Sequence, residues 1–395
     1  MWIASVASNI GTWMHTVGAS WMMTTLAASP LLVALVQTAT TLPVFLLGLP
    51  AGVMADLVDR RKLLIFTQSW MLGVAALLGV LAIAGRMGPW RLLALTFALG
   101  AGAAMNGPAW AAAIPELVPR EELPAAVALN SVGFNIARAV GPALGGIVMA
   151  SSGAGAVFMA NAASFLGVIV VLWSWKERPP AVREPGTHFR DAMREGLIYM
   201  RGARPFHAVL VRAGMFSLAG SALWAMLPVV ASQEMKSTSR GYGILLGCLG
   251  AGSVMGAAAL APIRSRYPVD RIVAAGVVLF AIATIGLATL KTLSLAAPAM
   301  VLGGVAWITA MSSFNVCAQT IPPQWMRARA LAFYLLVFQG SLAVGSGVWG
   351  EIARHAGVRA ALLIAAAAMI SGLAAGWRLK LSWKAAAPVE AVAAE

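Results

Sequence analysis

The chain has 395 residues, 60% of them apolar and 11% charged, with a formal net charge of +14. A soluble globule carries about a quarter of its residues as charges, so this composition excludes one. It does not indicate a nucleic-acid binder either, because the Lys and Arg residues stand singly or in twos and threes between apolar runs.

A helix needs about 20 apolar residues to cross roughly 30 Å of hydrocarbon. Runs of that kind lie at 2–27, 31–54, 63–84, 91–112, 124–150, 155–175, 207–231, 242–262, 272–290, 296–318, 328–351 and 359–380. They predict an all-α membrane protein with twelve transmembrane helices. The first run begins at Trp2 with no Lys or Arg before Arg60, so it lacks the basic region of a secretory signal peptide. It reads as a span with almost no lead-in, and a start codon further upstream is an open alternative. The sharpest breaks are Ser29-Pro30, the Asp56–Lys62 cluster, Gly85-Arg86, Pro119–Glu122 and Pro322-Pro323. The one long polar segment, Lys176–Pro205, is rich in Arg, Pro and Glu and reads as a linker, with a short surface helix expected around 189–200. The domains expected are a six-helix bundle over 1–175, a cytoplasmic linker over 176–206, a second bundle over 207–380 and a tail over 381–395.

Orientation follows from the basic residues. With the N-terminus inside, 19 Lys and Arg fall on the cytoplasmic side and seven on the other, and Arg138 and Arg212, within apolar runs, complete the 28. This bias puts both termini and the linker on the cytoplasmic side of the membrane. Cys248 and Cys317 both sit in apolar runs and are expected to be reduced thiols, without the spacing of a metal site or disulfide framework. There is no phosphate-cradling loop, no nucleophile–base pair and no metal cluster, so neither an ATP-driven pump nor an enzyme is indicated.

The chain repeats itself at one ungapped offset of 204 residues. Gly48 matches Gly252, Gly52 matches Gly256, Arg60 matches Arg264, Gly100 matches Gly304, Pro119 matches Pro323, Phe134 matches Phe338, Gly141 matches Gly345 and Gly146 matches Gly350. The shift preserves membrane direction. Two parallel six-helix bundles related by an axis along the membrane normal, with the substrate site between them, resemble the major facilitator fold.

Several segments carry the resemblance further. The stretches Ser8–Met14, Leu42–Gly48, the loop Gly52–Lys62 and Pro119–Ala126 running into Gly141-Pro142 are similar to the secretion-effector branch of that superfamily, which includes enterobactin exporters. The resemblance covers essentially the whole chain. It implies alternating access by two rocking halves, and a secondary active exporter of small amphiphilic molecules, siderophore-like or drug-like, coupled to protons. No cofactor is implied beyond the proton gradient. The partners expected are a small-molecule substrate and the bilayer, with no nucleic acid, and a monomer is expected. An uptake or lipid-translocating carrier, or a receptor that binds without moving cargo, are the alternatives.

Within the loop after the second run, Gly52, Asp56, Asp59, Arg60 and Arg61 resemble the family's loop signature. The Gly lets helices approach closely, and the resemblance implies that Asp56, with Arg60 and Arg61, latches against the start of the eleventh span near Arg327 and Arg329. Ordinary positive-inside flanking charge is the alternative. In the fifth run, Gly141, Pro142, Gly145 and Gly146 resemble a motif that marks exporters, although Ala137 replaces one expected Gly; a generic small-residue packing face is the other reading.

Arg138 lies near the middle of that run, where a cation costs about 2.5–3.5 kcal/mol on insertion scales. It either faces the cavity to meet an anionic group or bonds backbone carbonyls. Arg212, nearer a helix end, is expected to snorkel outward. His15 is the only histidine inside a run core and either contacts substrate, carries a proton or is structural. Asn106, Trp110, Trp224, Trp307 and Asn315 lie on helices expected to line the cavity, giving a pocket of Trp and Met with few polar groups. The Arg that related transporters carry ahead of Gly100-Ala-Gly102 is Thr96 here, so no proton-carrying residue is evident.

The latch predicts that Asp56→Asn impairs transport at near-normal membrane expression. Flux per unit of immunodetected protein measures it, and unchanged flux would remove the latch.

Overall fold

The computed structural model describes residues 1–175 and 203–381, with the side chains of Asp56, Glu116, Arg120, Arg204, Trp325 and Ala328 left aside. Most of the expected linker, its surface helix and nearly all of the tail lie outside the described residues.

The chain is helical almost throughout. The segments are α1 (Trp2–Leu26), α2 (Pro30–Leu57), α3 (Arg60–Ile83) and α4 (Pro89–Leu117). Then come a 52-residue stretch, Leu123–Ser174, and α7 (Arg204–Val229). The remainder are α8 (Ser239–Arg266), α9 (Val269–Thr289), α10 (Leu293–Thr320), α11 (Arg327–Ala356) and α12 (Val358–Ala375). Local chemistry sets the starts: Pro30 and Pro89 open α2 and α4, where a missing N–H costs nothing. The Asp59 carboxylate caps α3 by accepting the Lys62 N–H at 2.8 Å.

As one straight helix the 52-residue stretch would measure about 78 Å, far beyond the hydrocarbon thickness. It breaks at Gly153, whose φ of 79° is open to glycine but strained for other residues. The segments on either side are α5 (123–152) and α6 (154–174). Both pack on α1, in opposite senses. Gly133 faces Trp2 and Val6 while Gly145 faces Met14, whereas Val157 faces Gly18 and Asn161 faces Gly11. The chain therefore doubles back at Gly153.

Ten helices among the described residues are long and apolar enough to cross a membrane; Leu123–Ser174 counts once among them, and α1 is not one of the ten. Its apolarity is diluted by Ser5, Ser8, Asn9 and His15, which are turned inward or half-buried rather than left to face lipid. Cys248 and Cys317 are both free.

The repeat has a structural counterpart. Gly141 rests on Ile10 and Trp13 of α1, and Gly345 rests on Leu218 and Ser221 of α7. Gly100 meets α2 at Ala39 and Thr40, and Gly304 meets α8 at Leu249 and Ser253. Arg60 donates to the Ala112 carbonyl of α4 at 3.0 Å, and its counterpart Arg264 donates to Ser312 of α10 at 2.7 Å.

Two seams join the halves. In one, α5 and α8 touch backbone to backbone: a Cβ on Gly243 would stand 2.6 Å from the Pro142 carbonyl, and one on Gly250 would stand 2.5 Å from the Arg138 carbonyl. In the other, Gly350 of α11 sits on Leu31 and Ala34 of α2, and Thr38 donates to the Ala343 carbonyl at 2.9 Å. Both seams hold the face that carries Gly153 and Gly357. Toward the face that carries Arg60 and Arg264, called the basic face below, the halves part.

One pair of repeat-equivalent glycines has opposite surroundings. A Cβ on Gly252 would lie 2.0 Å from the Val301 carbonyl, while one on Gly48 meets nothing within 4 Å. Gly252→Ala is predicted to force α8 from α10 and cost about 1–3 kcal/mol. Gly48→Ala is predicted to be neutral or to stabilise by up to about 1 kcal/mol through helix propensity. Melting of the two purified variants checks this, and equal Tm values would contradict it.

Candidate functional site

Where the halves part, a cavity of about 550 Å³ opens between them. Its walls are Ser5, Ser8 and Asn9 of α1, Gln68 of α3, Asn106 and Trp110 of α4, the α5 face from Asn130 to Arg138, and Ile308 to Asn315 of α10. The α5 contribution is a stripe at helical spacing, with Asn130, Ser131, Phe134, Asn135 and Arg138 turned to the same side. No Asp or Glu is among the described lining residues. The expectation of few polar groups is thus corrected: Asn, Ser and Gln dominate the wall.

Arg138 stands at the cavity's inner end and is only 8% exposed. Its guanidinium carbon lies 5.9 Å from the Trp13 ring of α1 and 5.8 Å from the Trp224 ring of α7, so indoles from both halves flank it. Each such contact is worth about 0.5–2 kcal/mol, and two together match the insertion cost of the cation in magnitude. Its Nε finds no hydrogen-bond partner among the described residues, and neither does the Trp224 indole N–H. Backbone carbonyls therefore do not satisfy that Nε, and the cavity is the open side. The same residue's carbonyl sits against Gly250 in the α5–α8 seam. The site and the seam meet at one residue.

The other expected site residues separate into two groups. Asn106, Trp110 and Asn315 line the cavity. The Asn106 Oδ1 accepts from Thr67 at 3.1 Å and from Gln68 at 3.2 Å, tying α3 to α4, and the Asn315 Oδ1 accepts from Gln319. Trp307 is 4% exposed within a cluster of Phe216, Phe280, Phe338 and Trp224, so it belongs to the core of the second half and not to the cavity wall. His15 is likewise buried, its ring 4.9 Å from that of Phe158 on α6, and neither ring nitrogen has a partner among the described residues. It lies behind the cavity wall.

The exporter-type motif faces two ways. Gly141 and Gly145 seat α5 on α1, and Gly146 seats it on Ser239 and Gly243 of α8. In the loop after α2, Arg61 donates to the Leu172 and Trp173 carbonyls at the end of α6 at 3.0 and 2.9 Å, and Arg60 donates to α4 as above. These contacts bind the first half to itself. Asp59 caps α3. Gly52 makes no close helix contact in this state, contrary to expectation, and faces an open groove. Arg212 does not snorkel. It is 7% exposed, pairs with Asp270 at the start of α9 and donates to the Leu379 carbonyl at 3.1 Å.

Residues 1–393 match the family described as transmembrane secretion effector. The chain belongs to that family. Its relatives are major facilitator transporters, so this is a multi-pass membrane transporter and not an enzyme. The multidrug efflux pump Tap of Mycobacterium tuberculosis is 24% identical over 94% of this chain and 91% of that protein. The staphyloferrin A transporter of Staphylococcus aureus is 23% identical, and the match spans 62% of each chain, less than two thirds of that relative's length. Among solved structures, a D-xylose-proton symporter superposes with a TM-score of 0.76 at 13% identity, covering 97% of this chain and 98% of that one. The secretion-effector fold is thereby that of the major facilitators.

Proposed function

We propose that this chain exports small amphiphilic molecules bearing an anionic or hydrogen-bond-accepting group, by alternating access of two six-helix halves in exchange for protons. One observation carries the reading: a buried Arg138 without a full set of partners, held by an indole from each half at the end of a cavity with no carboxylate among its described lining residues. A cation at that depth persists where it serves a substrate pathway. The names of the relatives, a siderophore transporter and a multidrug efflux pump, support cargo of this size and polarity.

The doubling back at Gly153 and the inward-turned polar face of α1 support twelve crossings. The excess of Lys and Arg on the open side supports cytoplasmic termini in a bacterial inner membrane, with the cavity facing the cytoplasm. Rocking the halves would bring the basic face together, where Asp56 and the start of α11 form the latch, and would open the two glycine seams. Proton exchange is supported by family resemblance; the carrier residue is unassigned. The protein acts as a monomer without cofactor.

Cells expressing the protein are predicted to accumulate less of a fluorescent anionic amphiphile than cells without it, and an uncoupler abolishes the difference. Greater accumulation would make it an uptake carrier. Arg138→Gln, at matched membrane level, lowers export of the anionic cargo at least about tenfold; wild-type flux in that variant would leave Arg138 a structural cation.

A further inference from the structure

A second cavity, of about 450 Å³, lies beside the first. It is walled by Val44, Gly48, Leu49 and Gly52 of α2, by Ala103, Ala104, Gly107, Pro108 and Ala111 of α4, and by Leu331, Ala332, Leu335 and Leu336 of α11. Every named wall residue is apolar, and Gly107 lines both cavities, so the two spaces adjoin.

This groove marks a departure from the repeat. In the second half, α8 and α10 stay in backbone contact along this level: Gly252 meets Val301, and Gly256 meets Val305 and Ile308. Shifted back by 204 residues, the same partners are Gly48 and Gly52 on α2, facing α4. There a Cβ on Gly48 or Gly52 meets nothing within 4 Å, and neither does one on Gly107. The two copies differ in sequence at this level. Pro50 and Pro108 lie inside α2 and α4, whereas their repeat equivalents are Val254 and Ser312. A proline inside a helix deletes one hydrogen bond and bends the axis. α8 and α10 carry their interior prolines elsewhere, at Pro262 and Pro298, and they close at the level where α2 and α4 stand apart. The α2 and α4 walls belong to one half, so a rigid rocking of halves brings α11 closer but leaves the space between α2 and α4.

We propose that this apolar groove is the tail subsite of the cargo site, receiving the apolar part of an amphiphile whose negative head lies against Arg138. The inference rests on the head-group role of Arg138 given above and adds the determinant of tail length. Gly48 and Gly52 form the groove's floor, and side chains there would occupy the space the tail takes.

The test is calorimetric titration of the full-length chain in lipid nanodiscs with butanoate, hexanoate and octanoate, and with octanol as the neutral control, empty nanodiscs being subtracted. For the wild type, affinity rises with chain length by up to about fourfold per methylene. Gly48→Leu flattens that slope, and Gly52→Leu, in an equally open position, does the same if the first variant is poorly folded. Arg138→Gln weakens all three carboxylates at least about tenfold while changing octanol far less. A slope identical in wild type and both glycine variants overturns the proposal, as does a wild type that binds no carboxylate or shows no dependence on chain length, the pattern of a groove filled by bilayer lipid. The two readings fail separately. Cargo flux in proteoliposomes with an unchanged slope removes the tail subsite and keeps the transporter, whereas a flattened slope without flux keeps the subsite and removes export.

Discussion

Nothing in a bilayer pushes two helices together as water does, because lipid tails are as apolar as Leu; close packing must supply the attraction. In this protein the halves meet where side chains are missing. Gly146, Gly243 and Gly250 let α5 and α8 touch main chain to main chain, and Gly350 lets α11 settle on α2. Those contacts close one face and leave the other parted. They also fix where the cavity ends, since the Arg138 carbonyl is part of the α5–α8 contact while its guanidinium reaches the cavity between Trp13 and Trp224. A change in the seam therefore moves Arg138 relative to an indole on each half.

The two copies use the same backbone plan for different ends. The second half is tighter: α8 and α10 interlock through Gly252, Gly256 and Gly304, an aromatic cluster centred on Trp307 fills its interior, and the Arg212–Asp270 pair ties α7 to α9. The first half is looser and more polar, with Asn and Ser residues along α5 and an open space between α2 and α4 at Gly48, Gly52 and Gly107. The cavity wall comes mainly from the loose copy, and the tight copy contributes α10.

Much of this was legible in the residues. The 204-residue offset pairs glycines such as Gly141 and Gly345 that seat equivalent helices, because glycines at close approaches cannot be replaced without moving backbone, while Gly48 and Gly52 stand open where Gly252 and Gly256 are packed. Arg138, Asn106, Trp110 and Asn315 were readable as cavity groups because polar residues in apolar runs are turned away from lipid. The rest was hidden for definite reasons. Trp307 and His15 sit on the expected helices but on faces turned into the bundle, and helices whose lipid-facing and core-facing sides are both apolar give little periodicity from which to tell cavity from core. The stripe from Asn130 to Arg138 does carry a signal, polar residues three to five apart, but neutral Ser and Asn can bond their own helix backbone, as Ser131 and Asn135 do, and so do not by themselves mark a cavity. The Arg212–Asp270 pair joins residues on different helices, 58 positions apart, and no local pattern announces it.

The central claim is that two semi-rigid halves exchange a closed seam face for a closed basic face around Arg138. Spin-label distances across both faces test it most directly, with one pair at Glu122 and Tyr267 spanning the open mouth and another at Ser152 and Gln233 spanning the seam face, all four positions being exposed. On adding anionic amphiphile under an imposed proton gradient, the first distance is expected to shorten as the second lengthens. Distances that stay fixed, or that change in the same direction, would contradict alternating access in this protein.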